Sequence, residues 1–391
     1  MKVLTLSTLF PDASRPRLGP FVETQTLTFA ARDDVELRVI APIGIPPMPL
    51  GLHPRYGALR AQPRRETWKG IEVYRPRFAH IPGVGGRFDA GLMVRALRPL
   101  LSEIANDFAF DVIDASFFFP DGPAAVALGE AFGVPVSIKA RGSDIHFWGG
   151  MAVVSAQIVE AGRRAQGLLA VSEALKRDMI GLGMVSDKIR IHYTGVALDR
   201  FVPLDRAQAK TSLGVTGPLI VCVGNLLERK GQRTVVEALS HIETATLALI
   251  GHGPDRAMIE AKIAALGLGE RVRFVGSIAH DEMALWLGAA DVMALASASE
   301  GLANVWVEAL ACGTPIVITD VGGAREVVDR PEVGRLVAAE PKAVAQAIND
   351  LIANPPSQQQ VRASAERFTW KANSDTLFDH LLALIDAYPA H

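Results

Sequence analysis

Short apolar runs alternate with turn-rich loops and helix-forming segments along the whole chain, which predicts strands and helices in alternation. Residues 2–9 read as a buried first strand, followed by a loop at 11–20, a helix over 21–32 and a second strand over 35–42. Residues 111–115 and 135–140 predict two more strands, separated by a turn at 117–122 and a helix over 123–132. A strand over 168–171 leads through Ser172 into a helix over 173–182, and 189–192 is the last strand of this half. After Pro203 the pattern restarts. Residues 219–223 are nearly continuously apolar, as in a parallel sheet covered on both faces, and a glycine-bounded loop at 224–231 precedes a helix over 232–239. Further strands are predicted over 247–250, 272–275, 292–295 and 315–319, with a helix over 303–312 and a tail helix over 370–388. Twice-repeated strand–loop–helix order predicts an α/β chain of two Rossmann-like doubly wound domains, which bind ligands at the carboxyl ends of their strands. A length of 391 residues fits two domains.

The chemistry concentrates between Ser299 and Glu326. Glu300 precedes the helix expected at 303–312, where backbone N–H groups and the helix dipole favour negative charge. Glu308 lies inside that helix among Trp306, Val307, Ala309, Leu310 and Ala311, and a carboxylate so placed needs a polar partner. Two readings stand: a capping acid with a wet helix edge, or a site for a hydroxylated sugar and its phosphate. Arg229 and Lys230 sit side by side at the turn after the 219–223 strand, as a solvated pair or as ligands of a diphosphate, Arg through its fork and Lys as a point charge. The strand over 135–140 delivers Arg141-Gly-Ser-Asp144-Ile-His146, in which Asp144 reads as a helix N-cap or as a contact to substrate, and His146 as structural. Gly251-His-Gly253 lacks the third glycine of a dinucleotide fingerprint.

Composition narrows the classes. Forty basic against 42 acidic residues give no polyanion-binding character, so nucleic acid is not an expected partner. Charge is uneven locally. Between His53 and Arg98 ten cations face three acids, a balance of 10 − 3 = +7, which is either a solvated face or a landing patch for an anionic membrane or phosphorylated acceptor. Cys222 and Cys312 both lie in apolar runs and read as free buried thiols of a reducing compartment. No Cys/His spacing suggests zinc, the N-terminus reads as a strand rather than a signal peptide, and no apolar run is long enough to span a bilayer.

Glu300-x7-Glu308, followed by Ala309-Leu-Ala-Cys-Gly-Thr-Pro-Ile-Val317 and Gly322-Gly323-x-x-Glu326, resembles the donor-site signature of retaining glycosyltransferases of family 4, the group 1 glycosyl transferases. The resemblance covers nearly the whole chain, most closely from about 165 onward. It implies the GT-B fold: an acceptor-side domain over 1–200, to which a helix at 371–391 returns, facing a donor-binding domain over 201–370 across a cleft. It implies transfer of a sugar from a nucleotide-sugar, UDP- or GDP-linked, to a hydroxyl acceptor, lipid-linked acceptors included, in cell-surface polysaccharide or glycolipid synthesis. The nucleotide-sugar is substrate, and no cofactor is expected. In this reading Arg229 and Lys230 hold the donor phosphates, Gly224 and Gly19 let backbone approach the diphosphate, and Ile278 lines the nucleobase pocket. The helix start at Leu302, Ala303 and Asn304 adds backbone donors, Glu300 holds sugar hydroxyls, Glu308 the ribose, and Asp144 contacts the acceptor or transferred sugar. Pro20, next to Gly19, has no N–H to offer a phosphate. The family's Asn-Gly-Val-Asp before the domain crossing is Thr194-Gly-Val-Ala197 here. No Asp-x-Asp pair occurs, so no metal is expected on the diphosphate. The expected location is cytoplasmic, with peripheral contact at the inner face of the membrane. A nucleotide-sugar 2-epimerase working in the same cleft and a silent sugar-nucleotide binding protein are the alternatives.

Overall fold

A computed structural model describes residues 1–83 and 85–388. Contacts divide the chain into two compact units: Met1–Gly195 together with the segment that begins at Trp370, and Val196–Thr369. Among the described residues no helix is long and apolar enough to cross a membrane.

The first unit holds ten strands: β1 (Lys2–Leu6), β2 (Glu36–Ile40), β3 (Ile43–Ile45), β4 (Arg65–Trp68), β5 (Ile71–Tyr74), β6 (Arg77–Ala79), β7 (Val112–Ala115), β8 (Val136–Ala140), β9 (Gly167–Ala170) and β10 (Ile189–Ile191). Eight form one sheet in the order β10-β9-β8-β7-β1-β2-β5-β4, and β3 pairs separately with β6. The chain leaves β1 toward β2 on one side and returns through β7 on the other, so the sheet's switch point lies between β1 and β7. β7, β8 and β9 are buried at every position, the polar Asp114, Ser137 and Lys139 included.

Two of the boundaries that differ from the sequence expectation share one cause. β1 stops at Leu6 because Thr8 N–H turns to the Asp121 carboxylate (2.9 Å) and Leu9 N–H to the Ser7 hydroxyl (3.2 Å). The helix that follows β7 starts at Asp121, not 123, with that carboxyl fully buried in its first turn and its pKa pushed up to about 7 by burial.

The basic stretch is more ordered than its composition suggests. β4 and β5 form an antiparallel hairpin closed by Lys69 (φ 48°) and Gly70 (φ 90°), both left-handed as a two-residue hairpin turn demands. Much of the positive charge serves internal contacts. Arg75 is buried, pairing with Glu66 and donating to the Pro11 carbonyl at 2.7 Å. Arg65 pairs with Glu72 and Lys69 with Glu23, while Arg77 donates to the carbonyls of Leu59, Arg60, Gln62 and Arg75. Arg55, Arg64, Arg95 and Arg98 stay exposed.

The helix Trp370–Ala387 belongs to this unit. Leu377 and Leu381 enter a cluster with Val3, Phe29, Val35, Val112 and Leu169. Asn373 donates to the Tyr193 carbonyl (2.6 Å), Asp375 pairs with Arg32 (2.6 Å), and His380 meets the Ser137 hydroxyl (3.1 Å). Gly195 is required by this docking, since a Cβ there would lie 2.5 Å from the Trp370 ring.

The second unit is one parallel sheet, order β13-β12-β11-β14-β15-β16, of β11 (Leu219–Val223), β12 (Thr246–Ile250), β13 (Val272–Gly276), β14 (Val292–Leu295), β15 (Ile316–Thr319) and β16 (Gly334–Val337). Edge strand β16 and the helix Pro341–Ala353 behind it went unread in the sequence; at Gly334, a Cβ would lie 2.1 Å from the Ile316 carbonyl oxygen.

His380 ties the C-terminal helix to pH. Burial, then the nearby charges of Arg190 and Lys139, lower its pKa to about 3. The unfolded chain takes up this proton near pH 6.5 and the folded one does not, so its contribution is present above about 6.5 and lost as pH falls toward 3. His380→Gln should therefore flatten the acid side of the stability profile by up to about 1.4 kcal/mol per pH unit in urea unfolding. An unchanged slope would refute a neutral buried His380.

Candidate active site

The signature residues of the second unit gather at the carboxyl ends of its strands. β11 ends in Gly224, a loop follows, and a short turn at Glu228–Lys230 leads through Gly231 into the helix Gln232–Leu239. β14 ends in the loop that carries Ser297 and Glu300, ahead of the helix Asn304–Ala311. The two loops are stitched together. Ala298 N–H donates to the Arg229 carbonyl (2.8 Å), and Lys230 Nζ lies 2.5 Å from Glu300 Oε1, which also accepts the Ser297 hydroxyl at 2.8 Å. Lys230 and Glu300 side chains keep 17 % and 9 % of their surface exposed, so each offsets the other's desolvation where either alone would be costly.

Glycines let these loops meet. Gly231 (φ 67°) would place a Cβ 2.0 Å from the Ala296 carbonyl oxygen, and Gly322 (φ 52°) one 2.1 Å from that of Glu300. Gly323 N–H then bonds the Gly301 carbonyl at 2.6 Å, tying the loop after β15 to the same place. Around Gly224 (φ 148°), by contrast, a Cβ would find nothing nearer than 3.7 Å, so this turn has an open face.

Arg229 is exposed, with no ion pair among the described residues, and its guanidinium stands free beside the Lys230–Glu300 contact in sequence. Leu302 is buried, Ala303 and Asn304 are half-buried, and the N-cap residue Ala303 makes no side-chain cap to its helix. Ile278 is half-buried in the loop after β13. Glu308 is 5 % exposed, and its carboxylate meets His280 Nε2 at 3.1 Å. Sequence reasoning missed His280, which stands 28 residues before Glu308 with no periodic or motif signal linking them. It missed Ser297 for the same reason.

Gly19 and Asp144 lie in the first unit. Gly19 (φ 50°) caps the helix Pro20–Ala30, and a Cβ would be 2.2 Å from the Leu9 carbonyl oxygen, so its own unit already requires glycine there. Asp144 is fully buried. Its oxygens accept the N–H groups of Phe118 (3.2 Å), Arg141 (3.0 Å), Gly142 (2.8 Å) and Ile145 (3.2 Å), so it anchors the loop from within and is not an N-cap. Burial raises its pKa, against the lowering effect of those amides. Arg141 beside it donates to the Ser116 carbonyl (2.8 Å) and to Gln25 (3.2 Å). His146 pairs with Asp178 at 2.9 Å.

Both cysteines are free and buried, and burial lifts each thiol to about 12, which leaves no thiolate for chemistry. Among the described residues no group of three or more His, Cys, Asp or Glu could hold a metal ion.

Two Rossmann-like units with polar residues at their strand ends define the GT-B class, and solved structures agree. The fold matches sucrose-phosphate synthase from Thermosynechococcus elongatus with a TM-score of 0.83 at 21 % identity, over 99 % of this chain and 100 % of that one. It matches Anabaena HepE with a TM-score of 0.75 at 21 % identity, over 98 % and 100 %. Residues 27–200 match the family described as Glycosyltransferase Family 4, and residues 205–368 match Glycosyl transferases group 1. The chain belongs to this family, and it is a glycosyltransferase. Among its relatives is TuaC of Bacillus subtilis, a glycosyltransferase assigned to teichuronic acid biosynthesis, 28 % identical over 99 % of this chain and 95 % of that protein. Another is the 2-deoxystreptamine glucosyltransferase of Streptomyces kanamyceticus, 30 % identical over 63 % of this chain and 68 % of that one.

The stitching of the loops can be tested without substrate. Gly322→Ala forces a Cβ against the Glu300 carbonyl at a left-handed φ. It should cost about 1–3 kcal/mol in chemical denaturation. A loss under a few tenths would mean the loop yields and does not hold Glu300.

Proposed function

We propose that the second unit binds a nucleotide-sugar and that the chain transfers its sugar to a hydroxyl with retention of anomeric configuration, without a metal ion. The contact between Lys230 and Glu300 carries this reading. A sugar 1-phosphate bears its phosphate and its hydroxyls on one ring, so the cation and the carboxylate that recognise them must be neighbours. Arg229 and Lys230 stabilise the charge that develops on the leaving diphosphate, the largest electrostatic demand of the step. The helix start at Leu302, Ala303 and Asn304 supplies backbone donors to the same group, and Gly224 leaves room for it. Glu300 orients the sugar, Glu308 takes the ribose and Ile278 borders the base. Asp144 acts through its loop, which fixes Arg141 and the acceptor side of the first unit.

Names among the relatives and neighbours support such a donor. HepE is solved with UDP, with UDP and glucose, and with UDP-glucose. A Mycolicibacterium smegmatis mannosyltransferase, 34 % identical over 41 % of this chain, is named for GDP-mannose and phosphatidylinositol monomannoside. UDP- and GDP-linked sugars are therefore the donors to screen, and no cofactor besides the nucleotide-sugar is required. The phosphatidylinositol monomannoside in that mannosyltransferase's name and the teichuronic acid in TuaC's support a role in cell-surface polysaccharide or glycolipid synthesis with a lipid-linked hydroxyl acceptor; the location proposed with it is cytoplasmic, at the inner face of the membrane.

Donor turnover tests the reading. Arg229→Ala should lower kcat by roughly 10²–10³-fold, because the lost interaction acts where charge develops. Excess chelator should change wild-type turnover by less than about tenfold, or roughly 1.4 kcal/mol. A larger loss in chelator would assign the leaving-group charge to a metal ion.

For the membrane, the exposed charges rather than the whole basic stretch are the relevant ones. Met48, Leu50 and Leu52 are 70 %, 64 % and 56 % exposed, and Arg55 and Arg64 follow them in sequence. Apolar side chains for the headgroup boundary and cations for anionic lipid suit a peripheral contact. The protein should float with vesicles containing anionic lipid and be released as salt shortens the roughly 8 Å Debye length. Charge reversal at Arg55 and Arg64 should weaken flotation, while Arg75 belongs to the core and is no test. Equal recovery with neutral and anionic vesicles, or none with either, would leave these residues as ordinary surface.

A further inference from the structure

The residue that meets Glu308 is His280, and nothing in the signature calls for it. His280 opens the helix His280–Ala289, just after the loop that holds Ile278. Its Nε2 lies 3.1 Å from Glu308 Oε1, while Arg200 Nη1 lies 3.3 Å from its Nδ1. A guanidinium only donates, so Nδ1 accepts, and the neutral ring then carries its hydrogen on Nε2, aimed at the carboxylate. Arg200 is itself held by Asp281 at 3.0 Å. The imidazole packs edge-on against Phe201 with ring centres 5.4 Å apart, and Phe201 is 1 % exposed. Both ring nitrogens and one edge of His280 are thus constrained, while 41 % of the side chain stays open to solvent.

We propose that His280, held by Arg200, is a positioning residue that fixes the Glu308 carboxylate for the vicinal hydroxyls of the donor nucleotide's ribose. The proposal rests on the reading that Glu308 binds ribose. A carboxylate oxygen has two lone pairs, so Oε1 can take the His280 hydrogen and still accept a hydroxyl, with Oε2 free for the second. Glu308 stands in a helix among Trp306, Val307, Ala309 and Leu310, all buried, where a carboxylate without a donor is costly. His280 supplies a donor 3.1 Å from Oε1 that holds the carboxylate in place. The partner comes from the segment directly after Gly195, where the chain enters the second unit, so the first residues of that unit set the geometry of its nucleotide site.

The test compares equilibrium affinities of the full chain for UDP and GDP with those for their 2′,3′-dideoxy analogues. Wild type should prefer the better-bound ribonucleotide over its dideoxy analogue by about tenfold or more, as expected for charge-assisted hydrogen bonds, and Glu308→Gln should lose that preference. His280→Ala should lose most of the same preference while binding the dideoxy analogue as wild type does. His280→Gln, which offers an amide N–H from a similar place, should recover part of it. Arg200→Gln, which removes the partner without touching the ring, should show a smaller loss in the same direction. A structural defect alone would weaken both nucleotides equally. If His280→Ala keeps the full preference or binds the ribonucleotide more tightly while Glu308→Gln loses it, His280 does not position Glu308 and the proposal is overturned. If wild type and Glu308→Gln show no preference at all, the ribose reading of Glu308 has failed, and the proposal with it.

Discussion

The second unit depends on a contact between unlike charges at the end of its sheet. Lys230 and Glu300 come from different strand-to-helix loops, after β11 and β14, and meet where little of either is exposed. Truncating one partner of such a pair leaves the other desolvated, at a cost of about 3–5 kcal/mol for a fully buried pair. Backbone bonds from Ala298 to Arg229 and from Gly323 to Gly301 hold the loops in register, and Gly231 and Gly322 allow that approach. The site therefore consists of loops fixed mainly by main-chain contacts, with charged side chains on a rigid frame.

The first unit uses polar groups differently. Asp144 spends its carboxylate on four backbone amides of its surroundings, and Asp121 holds the chain after β1. Arg75 and Arg77 satisfy carbonyls and a glutamate inside the 53–98 stretch. Local net charge in sequence thus overstated the free positive surface: a cation counts toward an outside partner only if the fold has not already given it one.

Much of the architecture was legible because parallel strands buried on both faces must be apolar throughout. β11 and β14 and the helix Gln232–Leu239 fall where the sequence pattern puts them, since Leu219–Val223 and Val292–Leu295 admit little else. The β4–β5 hairpin was not legible: its strands, Arg65–Trp68 and Ile71–Tyr74, are short and carry charge at Arg65, Glu66 and Glu72 within a run that composition marks as loop. β16 begins at a glycine, which reads as a breaker until Ile316 lies against it.

At the candidate site the division is similar. The sequence by itself determined which residues are special, because two acids eight apart, an Arg-Lys pair and paired glycines in one order are a composite pattern local to the chain. Only the tertiary structure decided which of them touch. That Lys230 meets Glu300 across 70 residues, and that Glu308 meets His280 and through it Arg200, follows from strand order β11-β14-β15 and from loop packing. No spacing along the chain encodes those contacts, since a parallel sheet makes neighbours of strands far apart in sequence.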